Sequence, residues 1–92
     1  TQQTPELRTQ LHDIFPNPAR AITAVPVSSE EAIDIRLEVT DLLGRSVEVL
    51  HEGRLLAGKE HFFIHADRYQ PSVYMVVLET EKGKVSKRLV VE

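Results

Sequence analysis

The sequence predicts an all-β fold, a small antiparallel sandwich, and three observations carry that prediction. Residues 32–40 alternate strictly, with Ile33, Ile35, Leu37 and Val39 in one phase and Asp34, Arg36, Glu38 and Thr40 in the other. Successive side chains of a strand point to opposite faces, so this pattern indicates a half-buried strand. The run ends in Asp41-Leu42-Leu43-Gly44-Arg45, which reads as a hairpin turn. Asp suits the first position of a type I turn, and Gly44, three residues on, tolerates positive φ and closes it with a G1 bulge. Thirdly, turn signals recur along the chain at a spacing of roughly 8–12 residues, as they do in a sandwich of short strands.

Taken in order, residues 1–12 are polar, with one proline and no helical period. Leu7 and Leu11 lack a second apolar pair, so the segment is read as a linker that becomes ordered near Leu11. Pro16-Asn17-Pro18 fixes an extended bend, since each proline restrains its own φ and biases its predecessor away from helix. Residues 21–27 are β-branched and apolar. Pro26 cannot donate to a ladder, which predicts that this strand ends at a sheet edge. Ser28-Ser29-Glu30-Glu31 forms a polar connection to the alternating strand.

After the Asp41 turn, a strand is expected from residue 45 to about residue 51. Gly53 and Gly58 then bracket a loop carrying Leu55 and Leu56. Residues 60–66 form the next strand, with Phe62 and Ile64 in one phase and Phe63 in the other. A turn containing Pro71 leads to residues 73–80, apolar in both phases and so expected to be central in its sheet. Met75 and Val77 would make a partner-binding patch if one face of that strand is open. Glu81-Lys82-Gly83 reads as a hairpin turn before a closing strand, residues 85–91. These elements together predict a seven-stranded antiparallel immunoglobulin-like β-sandwich, a single domain over residues 13–92.

The 92 residues suffice for one modest core and no large internal cavity. A net charge of −3 gives no reason to expect nucleic acid or an anionic membrane as partner, and no apolar run is long enough to span a bilayer. The absence of cysteine does not decide the compartment. The chain opens at Thr1 without a charged-then-apolar leader, so an export signal is expected at the far end of a longer parent.

Nothing in the sequence assembles catalytic or metal chemistry. His61 and His65 would flank one ion on a helix, but on a strand their Cα atoms lie about 13 Å apart. Glu30 and Glu31 are adjacent and would point apart, and no cleft is built to raise one of their pKa values. Ser46 lies in no nucleophile elbow, and Gly53 and Gly58 precede no helix that could cradle a phosphate. The expectation is therefore a non-enzyme without cofactor or metal.

The Asp41 turn, followed by Val47, Leu50, Gly53 and Ala57-Gly58, resembles the C-terminal sorting domain of type IX (Por) secretion cargo. Ile14-Phe15-Pro16-Asn17-Pro18, Val73-Tyr74 with Leu78, and Lys87-Arg88-Leu89-Val90-Val91 resemble that family's opening segment, penultimate strand and closing strand. The chain departs from the pattern at Thr40, Glu60, His65, Tyr69, Ser72 and Glu92.

The resemblance implies a Bacteroidetes-type bacterium and a non-catalytic signal domain. Such a domain would direct an N-terminal cargo through the periplasm and across the outer membrane, to the cell surface or medium. It implies secretion-translocon components as partners and a sortase-like protease that cuts within residues 1–12. The recognition residues it suggests are Gly44, Arg45, Lys87, Arg88, Leu89, Val90 and Val91, while Asp41, Gly44, Gly53, Gly58 and Gly83 shape turns. Unpaired strand edges also allow an edge-strand dimer. The alternatives are a structural or adhesive immunoglobulin- or fibronectin-like spacer of an extracellular protein, and a carbohydrate-binding module. The last would require Phe63 and Tyr69 to be exposed together on one flat face.

Overall fold

In the computed structural model, which describes residues 9–92, the chain forms β1 (Thr9–Leu11), β2 (Ile22–Ser29), β3 (Ile33–Thr40), β4 (Ser46–Leu55), β5 (Gly58–His65), β6 (Ser72–Thr80) and β7 (Gly83–Val91). A short 3-10 helix, Ala66–Arg68, joins β5 to β6. The strands form two antiparallel sheets, ordered β1-β2-β5 and β4-β3-β6-β7. This is the expected all-β sandwich of seven strands. Its fourth strand lies beside the third, whereas in constant-type immunoglobulin domains the fourth strand belongs to the opposite sheet.

β3 shows how sequence becomes sheet. Ile33, Ile35, Leu37 and Val39 are buried while Asp34 is exposed and Arg36 and Glu38 half-buried. The buried set meets Val76, Leu78 and Leu89 from its own sheet and Val25, Val27 and Ile64 from the other, all fully or nearly fully enclosed. Burial of this apolar area, at about 25 cal/mol per Å2, is the main favourable contribution to folding. Thr23 is buried too, and its hydroxyl is satisfied by donating to the Pro16 carbonyl at 2.6 Å.

Three sequence expectations need correction. β2 is not an edge strand but the centre of its sheet, with Pro26 opposite His61 of β5. Backbone N–H and C=O of one residue face the same neighbour in an antiparallel ladder. The Pro26 carbonyl accepts from His12 N–H at 2.9 Å, so the missing donor of Pro26 faces the end of β1 and leaves the β5 ladder intact. The loop expected at residues 52–58 is mostly strand. β4 runs to Leu55, and Gly53 lies inside it opposite Ile35 rather than in a turn. Cross-strand ion pairs Arg36–Glu52 (2.9 Å) and Arg54–Asp34 (3.4 Å) flank Gly53, and Leu55 is a core residue at 2 % exposure. Finally, β1 starts at Thr9, within the segment read as linker, and Leu11 is buried. The remainder of that linker, residues 1–8, lies outside the described residues.

Candidate recognition surface

The aspartate hairpin is built around one carboxylate. The Gly44 N–H donates to the Asp41 carbonyl at 3.0 Å, and Gly44 has φ +86°, the left-handed region a G1 bulge requires. Asp41 Oδ1 accepts the backbone N–H groups of Leu43 and Arg45, both at 2.9 Å, and Oδ2 accepts Arg45 Nε at 2.8 Å. These donors, the Arg45 N–H foremost, hold the Asp41 carboxyl below its ordinary range despite some opposing burial. Arg45 is thus tied to its own turn while most of its side chain stays in water. Leu42 and Leu43 project at the tip, 65 % and 79 % exposed.

The closing strand carries the other suggested residues, and its two phases differ sharply. Leu89 and Val91 are core residues, buried under the opposite sheet. Lys87, in the phase of Leu89 and Val91, and Val90, in the opposite phase, are both half-buried, so of the five only Arg88 is exposed. Lys87 Nζ pairs with Asp13 at 3.1 Å. The hairpin and the closing strand are therefore not one cluster of seven surface residues: Leu89 and Val91 belong to the interior.

Sequence reasoning saw Pro16-Asn17-Pro18 only as a bend, yet Asn17 is a structural partner of β7. Its Nδ2 donates to the Arg88 carbonyl at 2.7 Å and its Oδ1 accepts the Val90 N–H at 3.0 Å. Ala19 continues the pairing, donating to the Val90 carbonyl at 2.8 Å and accepting the Glu92 N–H at 2.9 Å. The Asn17 side-chain amide and the Ala19 backbone together imitate a short added strand over the C-terminal half of the β7 edge. A primary amide between two prolines, themselves unable to donate, is the signal that could have pointed to this clasp.

At the other end of the sandwich, Tyr69 is half-buried edge-on to Tyr74, with ring centres 5.2 Å apart, and its hydroxyl donates to Glu48 at 2.6 Å. Burial, and then Glu48, push the Tyr69 phenol well above its ordinary pKa. Tyr74 is a core ring whose hydroxyl reaches the Gln70 carbonyl at 2.6 Å. Phe63 is exposed on the outer side of β5. Because Tyr69 packs on Tyr74, it does not join Phe63 in a flat aromatic platform. Met75 and Val77 are half-buried on the outer face of β6, beside Arg88 and Ser86 of β7. Among the described residues, no group of three or more acidic, His or Cys side chains is arranged to hold a metal, and no helix is long and apolar enough to cross a membrane.

Residues 13–92 match the family described as the secretion system C-terminal sorting domain. No curated protein matches the chain. The matched span begins two residues after β1 and covers β2 to β7, the whole of both sheets save their shortest strand.

Proposed function

We propose that this chain, which belongs to the secretion system C-terminal sorting domain family, works as a folded address that a type IX translocon reads on a larger cargo. Members of such a family are sorting signals for export to the cell surface or beyond, and the family is one of signals rather than catalysts. The observation that carries the reading is the match over residues 13–92, because it spans the folded sandwich rather than a short tail.

In this reading the cargo passes through the periplasm with the sandwich already folded, and translocon components contact its surface. Arg45 and Arg88 are the side chains of the suggested set best placed for that contact, being exposed. Leu89, Val90 and Val91 act indirectly by keeping β7 in its sheet. A sortase-like protease would cut ahead of β1, since Thr9–Leu11 is paired to β2 and a protease cleft needs an unpaired extended chain.

The test is an export assay in a bacterium with type IX secretion. A fluorescent reporter with an ordinary signal peptide carries residues 1–92 at its C-terminus, beside a reporter without them. Surface or medium delivery only with the domain is the expected result. Retention of both in the periplasm, with the domain shown to be folded, would sink the sorting reading and leave the spacer reading in its place. Removing residues 85–92 is not a clean control, because it takes Leu89 and Val91 out of the core. Arg45→Glu and Arg88→Glu leave the core intact and report on recognition.

A further inference from the structure

On the side of the sandwich where β1 faces β7, the two sheets part around a cleft of about 530 Å3. Among the described residues, β1 supplies Thr9, Gln10 and Leu11 to one wall and β7 supplies Gly83 to Lys87 to the other. The cleft has an apolar floor that includes Leu11, Ile33 and Leu78. Val85 lies opposite Leu78 and points the same way, yet remains 52 % exposed.

The β7 wall of the cleft also has open backbone. Arg88, Val90 and Glu92 direct their backbone groups outward, where Asn17 and Ala19 take them up. The β6–β7 register is unbroken, and alternate residues of an antiparallel strand face the same way. The N–H and C=O groups of Lys84 and Ser86 therefore point outward as well. Among the described residues none bonds to them. Two donors and two acceptors thus stand in strand geometry just where the clasp ends, an arrangement suited to one more strand.

Charge selects the occupant. Three cations, Lys82, Lys84 and Lys87, line the cleft against one carboxylate, Glu31, and this net positive lining favours carboxylates. A second copy of the chain is disfavoured, because antiparallel pairing of two β7 edges would set the lysines of one against those of the other. The Asn17 clasp would also limit that contact to the first residues of β7.

We infer that this cleft receives an extended acidic segment of a partner protein, added as a strand to the open half of β7. Alternate apolar side chains would enter the cleft beside Val85 and Leu78. The intervening carboxylates would lie in the phase of Lys84, so the partner segment alternates acidic and apolar residues. This goes beyond the sorting reading, since it names the chemistry of a partner, and it can fail while that reading stands.

The experiment is an NMR titration of the full 92-residue chain with a synthetic peptide alternating glutamate and valine, and with a lysine–valine control. The expected result is saturable shifts and slowed exchange at the Lys84 and Ser86 amides with the acidic peptide only. Ser86→Pro deletes the outward N–H without touching the β6 ladder. It should weaken binding about tenfold, the worth of one well-made hydrogen bond. The double variant Lys82→Glu/Lys84→Glu should weaken it at least as much, and it decides the matter if Ser86→Pro fails to fold. Equal binding of the control peptide, shifts confined to β4 or β5, or indifference to both variants would overturn the inference. So would contacts from Leu7 to Val85 in the free chain, which would make the chain's own first residues the occupant. No peptide binding by a chain that still exports its reporter overturns this inference and leaves the sorting reading intact.

Discussion

Asp41 spends one carboxylate on three donors within five residues of chain, and the sequence pattern alone announced such a turn. Type I turn chemistry is local, so residue types at fixed offsets suffice to read it. Its pH dependence follows from the depressed carboxyl. A group whose folded pKa lies below its unfolded value stabilises the fold above the unfolded pKa, and that contribution is lost as pH falls through the folded one. Acid titrations of wild type and Asp41→Asn, followed by circular dichroism, should show this loss in wild type only. Asp41→Asn should also be less stable at neutral pH. Tyr69 behaves in the opposite sense. Its phenol is raised by burial and Glu48, so its contribution is complete below the ordinary tyrosine pKa and is lost as pH rises above it. Ultraviolet titration should find one of the two tyrosines ionising late, and Tyr69→Phe should remove that late step. The Tyr69–Glu48 bond spans 21 positions and left no mark in the sequence, because neither partner interrupts a local pattern.

At the scale of elements, β3, β6 and β7 were legible because each keeps a period-two pattern or a hairpin signal between clear turns. β2 and β4 were misread for related reasons. Pro26 was judged by what it lacks, yet the lack matters only on the side its amide would have faced, and that side is the end of β1. A glycine after Glu52 reads as punctuation, yet Gly53 continues the ladder opposite Ile35, with cross-strand ion pairs on either side. The described part of β1 is three residues, Thr9–Leu11, too few for a period to show. The Asn17 clasp makes an element-level prediction. Asn17→Ala deletes two bonds to the β7 backbone and should cost about 1–2 kcal/mol, at roughly 1 kcal/mol per bond. Hydrogen exchange should localise the effect: the Val90 amide should exchange faster while the Leu89 amide, directed at β6, changes little. The bared edge should also raise the tendency to self-associate, visible by light scattering.

At the scale of the molecule, one core joins the two sheets, and Leu89 lies in it at 0 % exposure. Leu89→Ala should cost about 2–5 kcal/mol. Against a total of roughly 5–15 kcal/mol for an ordinary domain, that shift should be plain in urea denaturation. If Leu89 were instead a direct contact for a translocon, the variant would lose export without losing stability. The sequence carried the fold class, since alternation and turn spacing are whole-chain statistics. It did not carry the placement of the suggested recognition residues. Which of Lys87, Arg88, Leu89, Val90 and Val91 faces water depends on which sheet lies beneath β7, a fact decided far away in β1 and β2.

The clasp joins positions more than 70 apart in sequence, Asn17 to Arg88 and Val90. Closing a loop of such length carries an entropy cost that is repaid only when both of its ends are in place. A chain that broke off before β7 would leave Asn17 and Ala19 without partners and Leu37, Val76 and Leu78 poorly covered. The finished sandwich is therefore evidence that synthesis has run through its last strand. A receptor that recognises only the folded surface would pass over truncated polypeptides without any separate inspection.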